Sequence, residues 1–245
     1  FQDIKNNVVR YGINPASGGY LGYIPGGGLF PSALGDYIAD ITNRFSGIYF
    51  ASPFSAKMES DMVRWAANEI GYPKNSEGTL TSGGSIANLT AIVTARNFFG
   101  LKGKQYSKCS VYFTKQTHHS IEKSFRIAGM KECIKRIIPV NDSFKMDTIF
   151  LEKQIKKDKK SGLIHWMVIA NAGTTDTGAV DPLPLISKIC KTYKLWMHVD
   201  GAYGGFFILC SHGQKILKGI NLADSIVLDP HKTLFLPYGT GMVLV

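Results

Sequence analysis

The sequence predicts an α/β domain with a mostly parallel β-sheet flanked by helices. From about residue 53 onward, short β-rich runs alternate with helical ones, the pattern of strands and crossover helices in parallel sheets. Apolar runs such as residues 166–170, "WMVIA", lack polar alternation, as expected of strands that are covered on both faces. With 245 residues and 44% hydrophobic content, the chain can bury a core large enough for such a domain.

Two parts of the chain differ in composition. Residues 1–52 are rich in glycine, proline and aromatic residues, which predicts an irregular N-terminal arm followed by a helix from about Ser32. Residues 53–245 form the predicted large domain, which opens with a helix whose apolar positions include Met58, Met62 and Ile70. Strands are then predicted over residues 110–113, 137–140, 166–170, 196–199, 225–228 and 241–245, and helices over 85–98, 120–128, 147–160 and 182–193.

Charge and cysteine content narrow the class of protein. The net charge of +10 invites a nucleic-acid partner, but the lysines are mostly scattered. The densest run, residues 153–160, is typical of the solvated face of a helix, and no zinc-finger or basic-zipper spacing accompanies it, so we expect no nucleic-acid partner. Four cysteines without a C-x-x-C pair indicate reduced thiols in a cytoplasmic protein. No apolar run approaches the length of about 18 residues that a membrane span needs, so we expect no membrane partner.

Four predicted strands are followed by chemically unusual residues. They are His118 with His119, then Asn171, Asp200 and Lys232. Each is unremarkable alone, because a single histidine after a strand is more often a cap or a core residue and an aspartate there is usually a helix cap. In open α/β sheets, however, ligands bind beyond the carboxyl ends of the strands, so four such groups at one edge predict a functional site.

A phosphate-binding turn is predicted within residues 79–97, "TLTSGGSIANLTAIVTARN". Glycines and small residues run directly into a helix, whose predicted apolar positions are Ile86, Leu89 and Val93. Free backbone N–H groups and the hydroxyls of Ser82 and Ser85 would suit a phosphate monoester. A capped helix start explains the segment equally well when it is taken alone, and the pattern is neither a Walker loop nor G-x-G-x-x-G.

Together these features meet the needs of pyridoxal phosphate. Its aldehyde forms a Schiff base with a lysine, here Lys232, and its ring nitrogen keeps a proton next to a buried carboxylate, here Asp200. Lys232 follows a predicted buried strand and precedes the apolar residues 234–236, where we expect its amine to be poorly hydrated and nucleophilic. No metal site is expected.

Five motifs resemble, in order and spacing, the group II pyridoxal-phosphate-dependent amino-acid decarboxylases, relatives of the aromatic-L-amino-acid, glutamate and histidine decarboxylases. The motifs are "TSGGSIANL", "THHSIEKS", "NAGTTDTGAVDP", "HVDGAYGG" and "DPHKTLFLPYGTG", and the resemblance covers about residues 20 to 245. It implies a fold-type I large domain, a homodimer, and the conversion of an L-amino acid to its amine and carbon dioxide. We expect the chain to be a segment of a longer protein, and the resemblance implies that a loop with a protonating tyrosine and a C-terminal domain follow.

The resemblance also assigns roles to residues. Lys232 matches the Schiff-base lysine, Asp200 the partner of the pyridine nitrogen, and His118 the histidine that stacks on the cofactor. The other cofactor contacts that it implies are Gly84 and Ser85 in the phosphate turn, His231 near that turn, Thr175 beside the cofactor and Ala202 against its ring. Three positions depart from the family pattern: Gly201 where alanine is commoner, Thr233 where tryptophan is frequent, and Asp229 where some members have asparagine.

Other functions remain open at this stage. An aminotransferase, a desulfurase or an aldehyde lyase could share Lys232, Asp200 and a stacked histidine, although "GAVDP" and "DPHKTLFLPYGTG" favour a decarboxylase. An oxidative decarboxylase that forms an aldehyde is a narrower variant. A non-catalytic protein that binds nucleic acid through its basic surface would have no need of Lys232. The arm's aromatic residues, Tyr20, Tyr23, Phe30 and Tyr49, weakly favour a hydrophobic or aromatic amino acid as substrate.

Overall fold

The computed structural model describes residues 1–24 and 27–245, so residues 25 and 26 of the predicted arm lie outside the described part. Within the described residues, seven strands form one sheet in the order β1-β7-β6-β5-β4-β2-β3. The strands are β1 Gly78–Thr81, β2 Cys109–Thr114, β3 Ile134–Ile138, β4 Ile164–Asn171, β5 Trp196–Asp200, β6 Ser225–Leu228 and β7 Gly241–Leu244. The α-helices are α1 Gln2–Ile4, α2 Phe30–Thr42, α3 Pro53–Ile70, α4 Gly84–Phe98, α5 Ser120–Ile127, α6 Thr148–Lys160, α7 Leu183–Tyr193, α8 Ser211–Ile216 and α9 Pro230–Thr233.

The strand directions bring five carboxyl ends to one edge of the sheet. Strands β2 to β6 pair in parallel, whereas β7 pairs antiparallel with both β6 and β1. Because two reversals restore the direction, β1 runs the same way as β6. The carboxyl ends of β1, β2, β4, β5 and β6 therefore lie at the same edge, and the predicted mostly parallel sheet is confirmed.

Helices cover both faces of this sheet. In β4, Val168 and Ala170 belong to one core cluster together with residues of α3, α6 and α7, whereas Met167 and Ile169 belong to another with residues of α4 and α5. This alternation follows from the period of two that side chains have along a strand. Both faces are buried, which explains why the strand shows no polar alternation in the sequence.

Two edge strands differ from the prediction. β3 is Ile134–Ile138 rather than residues 137–140. The polar Lys135 and Arg136 near its start hide it in the sequence, and it ends before Pro139, whose nitrogen cannot donate a ladder hydrogen bond. β1 was not predicted as a strand. It is four residues long, contains two threonines and a glycine, and pairs only with β7 within the described sheet. The five other predicted strands are confirmed with shifts of a few residues at their ends.

Two helices bury only part of the predicted face: Ile70 of α3 is buried as expected, whereas other predicted positions are not. In α3, Met58 and Met62 are exposed, and the buried residues are Val63, Ala66, Ala67 and Ile70. In α4, Ile86 is exposed and Leu89 and Val93 are half-buried, and the buried residues are Ala87, Asn88, Ala91, Ile92 and Ala95. Alanines let α4 approach the sheet closely, so small side chains form this contact instead of the large ones.

The N-terminal arm lies on the surface. Helix α2 begins at Phe30, close to the predicted start, and buries none of its residues. The arm meets the segment after α9 where the Leu29 N–H donates to the Phe235 carbonyl at 3.1 Å. The boundary between arm and large domain at residue 52 stays a prediction. Among the described residues, no helix combines the length and the hydrophobicity needed to cross a lipid bilayer.

Candidate active site

A cavity of about 230 Å³ opens at the edge where the five carboxyl ends meet. All eight residues predicted to contact the cofactor line it, namely Gly84, Ser85, His118, Thr175, Asp200, Ala202, His231 and Lys232. His119, the neighbour that the resemblance did not favour, is exposed and is not among the lining residues. The fold thus brings together residues that are up to 148 positions apart in the sequence, from Gly84 to Lys232. Their roles toward a cofactor stay predictions.

The turn between β1 and α4 is shaped to hold an anion. Gly83 has φ +127°, a conformation that L side chains rarely adopt, and it turns the chain directly into α4. A Cβ on Gly84 would lie 2.7 Å from Asp229 Oδ2, so only a glycine leaves this space free. The first N–H groups of any α-helix lack intrahelical acceptors, and here they begin at the cavity.

Asp200 ends β5 and is held by two N–H donors. Its Oδ2 accepts a hydrogen bond from Asn88 Nδ2 at 3.0 Å, and its Oδ1 accepts one from the Ala202 N–H at 3.2 Å. The residue is 7% exposed and faces the cavity. A fixed carboxylate at this position fits the protonated nitrogen of a pyridine ring.

His118 follows β2 and is neutral at neutral pH. Burial lowers its pKa, and the charges of His119 and Lys232 act in the same direction, while Asp200 opposes them. Its Nδ1 lies 2.8 Å from Ser120 Oγ and 3.3 Å from the Ser120 backbone N. Helix α5 therefore fixes the orientation of the ring at the cavity wall.

Lys232 has a charged partner that the sequence analysis did not foresee. Its Nζ lies 3.0 Å from Asp229 Oδ2, and its side chain is 21% exposed. The surroundings of the amine are therefore not apolar alone, because a buried carboxylate also contacts it. The spacing of three positions on one helical turn was the available signal, because such residues face each other.

Asp229 is itself unusual. Burial raises its pKa, while the ammonium of Lys232 opposes that effect. Its Oδ1 is buried and has no hydrogen-bond partner in the described part of the chain. The carboxyl therefore lies beside both the lysine and the turn at Gly84.

Two further predicted residues are positioned by their loops. His231 Nδ1 lies 2.5 Å from the Thr240 carbonyl, which can only accept, so this nitrogen carries a hydrogen. The ring stands next to the phosphate turn, since a Cβ on Gly83 would lie 3.8 Å from His231 Cε1. Thr175 lies in the loop after β4. The two ends of this loop are held together by the Asp181 carboxylate, which accepts hydrogen bonds from the backbone N–H groups of Met146 and Asn171, both at 2.7 Å.

The sequence analysis gave no role to several other residues of the cavity wall. They are Ile24, Gln116, Ser120, Asn88, Tyr203 and Tyr238, and Asp229 was noted only as a departure from the family pattern. Asn88 left a signal, since it is a polar residue on the otherwise alanine-rich face of α4. Ile24 and Tyr238 lie in segments that resemble the family, but no feature of the sequence distinguishes them from their neighbours as wall residues.

These residues fit pyridoxal phosphate. The space kept free at Gly84 and the orphaned Oδ1 of Asp229 mark a polar subsite beside the start of α4, and Asp200 and Lys232 are available across the cavity. The fold and this donor set define a pyridoxal-phosphate-binding large domain of fold type I.

Comparisons with known proteins agree with this assignment to pyridoxal phosphate. Residues 1–245 match the family described as the pyridoxal-dependent decarboxylase conserved domain. The aromatic-L-amino-acid decarboxylase of Bacillus atrophaeus is 37% identical over 226 residues, which are 92% of this chain and 47% of that protein. The L-2,4-diaminobutyrate decarboxylase of Acinetobacter baumannii is 31% identical over 232 residues, 87% of this chain and 46% of that protein. The crystal structure of Oryza sativa TDC with PLP has a TM-score of 0.92 at 27% identity and covers 100% of this chain and 55% of its own.

The chain therefore belongs to the pyridoxal-dependent decarboxylase family, as its motifs indicate. It spans about half the length of the curated relatives that it matches.

Proposed function

We propose that this protein decarboxylates an L-amino acid to the corresponding amine and carbon dioxide with pyridoxal phosphate as cofactor. The observation that carries the proposal is the convergence of Lys232, Asp200 and His118 on one cavity that also contains the α4 turn. No nucleic acid is needed for this function, and the basic residues of α6 lie elsewhere on the surface.

When bound, pyridoxal phosphate supplies an electron-withdrawing ring for the α-carbon that loses carbon dioxide. Each residue of the chain has a distinct task around it. Asp200 holds the proton of the ring nitrogen, because two N–H donors fix its carboxylate there. The turn at Gly84 would hold the phosphate, and His118 would pack against the ring. Lys232 supplies the amine that holds the cofactor.

Asp229 prepares that amine. An ammonium must lose its proton before it can act as a nucleophile. The Asp229 carboxylate is 3.0 Å from Nζ and is the group positioned to accept this proton. Burial raises its pKa, so the carboxyl holds a proton more readily than an exposed aspartate would.

The test is the visible absorbance of the protein with pyridoxal phosphate, followed by assays for carbon dioxide with a panel of amino acids. We expect an absorbance band and carbon dioxide release, both lost in Lys232→Ala and both kept in Lys153→Ala, a matched change at an exposed lysine of α6. A band with a keto acid as product would favour an aminotransferase, and a band with an aldehyde would favour an oxidative decarboxylase. Absence of the band would contradict the proposal.

An aromatic amino acid is the proposed substrate. The 37% identical aromatic-L-amino-acid decarboxylase and the apolar Ile24 and aromatic Tyr238 in the cavity wall support this choice. Tyr20, Tyr23, Phe30 and Tyr49, which suggested it in the sequence, are not among the lining residues. Comparison of kcat/KM for tryptophan, tyrosine, histidine and diaminobutyrate tests it, and a preference for diaminobutyrate would contradict it.

A homodimer in the cytoplasm is also proposed. Helix α2 exposes Phe30, Tyr37, Ile38 and Ile41, and contiguous apolar surface of this kind is typical of protein interfaces. Sedimentation of the protein would give a dimer, and Ile38→Asp would shift it toward monomer if α2 lies in the interface.

A further inference from the structure

A fully buried histidine lies behind the cavity without lining it. His198 is in β5, two residues before Asp200, and is 0% exposed. Its Nε2 lies 2.9 Å from Asn88 Oδ1, and its Nδ1 lies 2.8 Å from Ser225 Oγ. Ser225 Oγ in turn accepts a hydrogen bond from Trp196 Nε1 at 2.8 Å.

The hydrogen-bond inventory of these groups fixes the orientation of Asn88. An ionised carboxylate only accepts, so Asn88 must direct its NH2 group at Asp200 Oδ2. The same NH2 group donates to Ser120 Oγ at 3.2 Å, so both amide hydrogens are used. The remaining Oδ1 of Asn88 faces His198 and requires a donor there.

The inventory also fixes the tautomer of His198. Its Nε2 must carry the hydrogen, because Asn88 Oδ1 accepts. A neutral imidazole has one N–H, so Nδ1 is an acceptor and takes the hydroxyl hydrogen of Ser225. The Ser225 oxygen is then free to accept from Trp196 Nε1, which is a donor only. Burial lowers the pKa of His198 to about 4, so the ring is neutral at neutral pH.

The other end of the network reaches the cavity. Ser120 Oγ accepts from Asn88, so its own hydrogen is free to donate to His118 Nδ1 at 2.8 Å. The Ser120 backbone N–H points at the same nitrogen. His118 therefore carries its hydrogen on Nε2. All hydrogen bonds in the series are donated in the same direction, from Trp196 in the core toward Asp200 and His118 at the cavity.

We propose that His198 is a positioning residue of the site, which acts through Asn88. Its Nε2–H holds the Asn88 amide in the one orientation that serves Asp200 and Ser120 together, and it thereby sets the tautomer of His118. Without this donor, Asn88 Oδ1 would be buried and unpaired, and rotation of the amide would turn an acceptor toward the Asp200 carboxylate. The role of His198 in the site rests on the proposed function, whereas the positions of the hydrogens on His198 and His118 do not depend on it.

The direct test is ¹⁵N NMR of the ring nitrogens in histidine-labelled protein without cofactor near neutral pH. His198 and His118 should both appear as neutral Nε2–H tautomers, with assignments from the His198→Gln and His118→Gln spectra. An Nδ1–H tautomer or an imidazolium at His198 would overturn the proposal. This measurement does not depend on whether the protein is a decarboxylase.

Variants test the effect on the site through cofactor affinity. His198→Leu removes the donor at similar volume. It should weaken pyridoxal phosphate binding about tenfold, because the Asn88 amide is then free to turn and to lose its hydrogen bond to the charged Asp200. His198→Gln supplies an amide N–H and should restore most of that loss. His165→Leu, which removes a half-buried histidine from the neighbouring β4, is the control and should bind normally.

The outcomes separate the two hypotheses. Equal losses in the folded Leu and Gln variants, or no loss in either, would overturn the positioning role of His198. Failure of the wild-type protein to bind pyridoxal phosphate would instead contradict the proposed function, and the NMR result would still decide the hydrogen positions.

Discussion

Acidification should destabilise this protein through His198. Burial lowers the pKa of His198 to about 4, compared with about 6.5 for an exposed histidine. Between these two values the unfolded chain binds a proton that the folded protein does not bind, so the free energy of unfolding falls as the pH falls through this window. A difference of about 2.5 pH units at about 1.4 kcal/mol each corresponds to about 3.5 kcal/mol below pH 4, of which about 2 kcal/mol is lost by pH 5. That is a large part of the stability of an ordinary domain, which is about 5–15 kcal/mol.

The assay is urea unfolding of the cofactor-free protein between about pH 7 and pH 5, with His198→Gln as the comparison. Other buried groups also titrate: burial raises the pKa values of Asp181, Asp224 and Asp229, which adds stability as the pH falls. These groups are present in both proteins, so the difference between the two pH profiles isolates His198. We expect the wild type to lose stability more steeply than the variant. Parallel profiles would refute the argument, because they would mean that His198 does not become more basic on unfolding.

Three other changes test separate parts of the structure. Gly84→Ala should weaken pyridoxal phosphate binding at least tenfold, since its Cβ would lie 2.7 Å from Asp229 Oδ2. Titration of the visible band with the cofactor measures this affinity, and an unchanged affinity would contradict the prediction. Asp229→Asn should slow the appearance of that band in stopped-flow mixing, because Lys232 loses the group that accepts its proton; an unchanged rate would exclude this role. Asp158→Ala should lower the free energy of unfolding by about 3 kcal/mol without changing cofactor affinity, because it leaves the Arg136 guanidinium without its buried partner at 2.7 Å, and a loss below about 1 kcal/mol would contradict this.

The sequence predicts the central strands well because their chemistry is local. β4, β5 and β6 are buried on both faces, so their apolar runs are continuous and their ends coincide with the polar residues that follow. The edge strands β1 and β3 lack this signal, since each has a neighbour on one side only within the described sheet, and polar residues such as Thr79 and Lys135 are tolerated there.

The same distinction applies to the site. Residues that directly follow a strand or begin a helix, such as Asp200 and Gly84, are recognisable from chain order alone. The contacts among Asn88, His198 and Ser225 are not recognisable, because they depend on how closely α4 packs over β5 and β6. That distance is set by the alanines of α4, whose consequence appears only once the helix is docked.

The two carboxylates of the cavity illustrate how surroundings assign different tasks to one chemical group. Each oxygen of Asp200 accepts a hydrogen bond from an N–H that cannot give up its proton, so this carboxylate is suited to holding a fixed charge against the ring nitrogen. Asp229 has one oxygen on a lysine that can give up a proton and another with no partner in the described residues. It is therefore suited to exchanging a proton. If the two environments were exchanged, the ring nitrogen would have no fixed counter-charge. The hydrogen bonds that run from Asp200 through Asn88 to His198 in the core keep that charge in place.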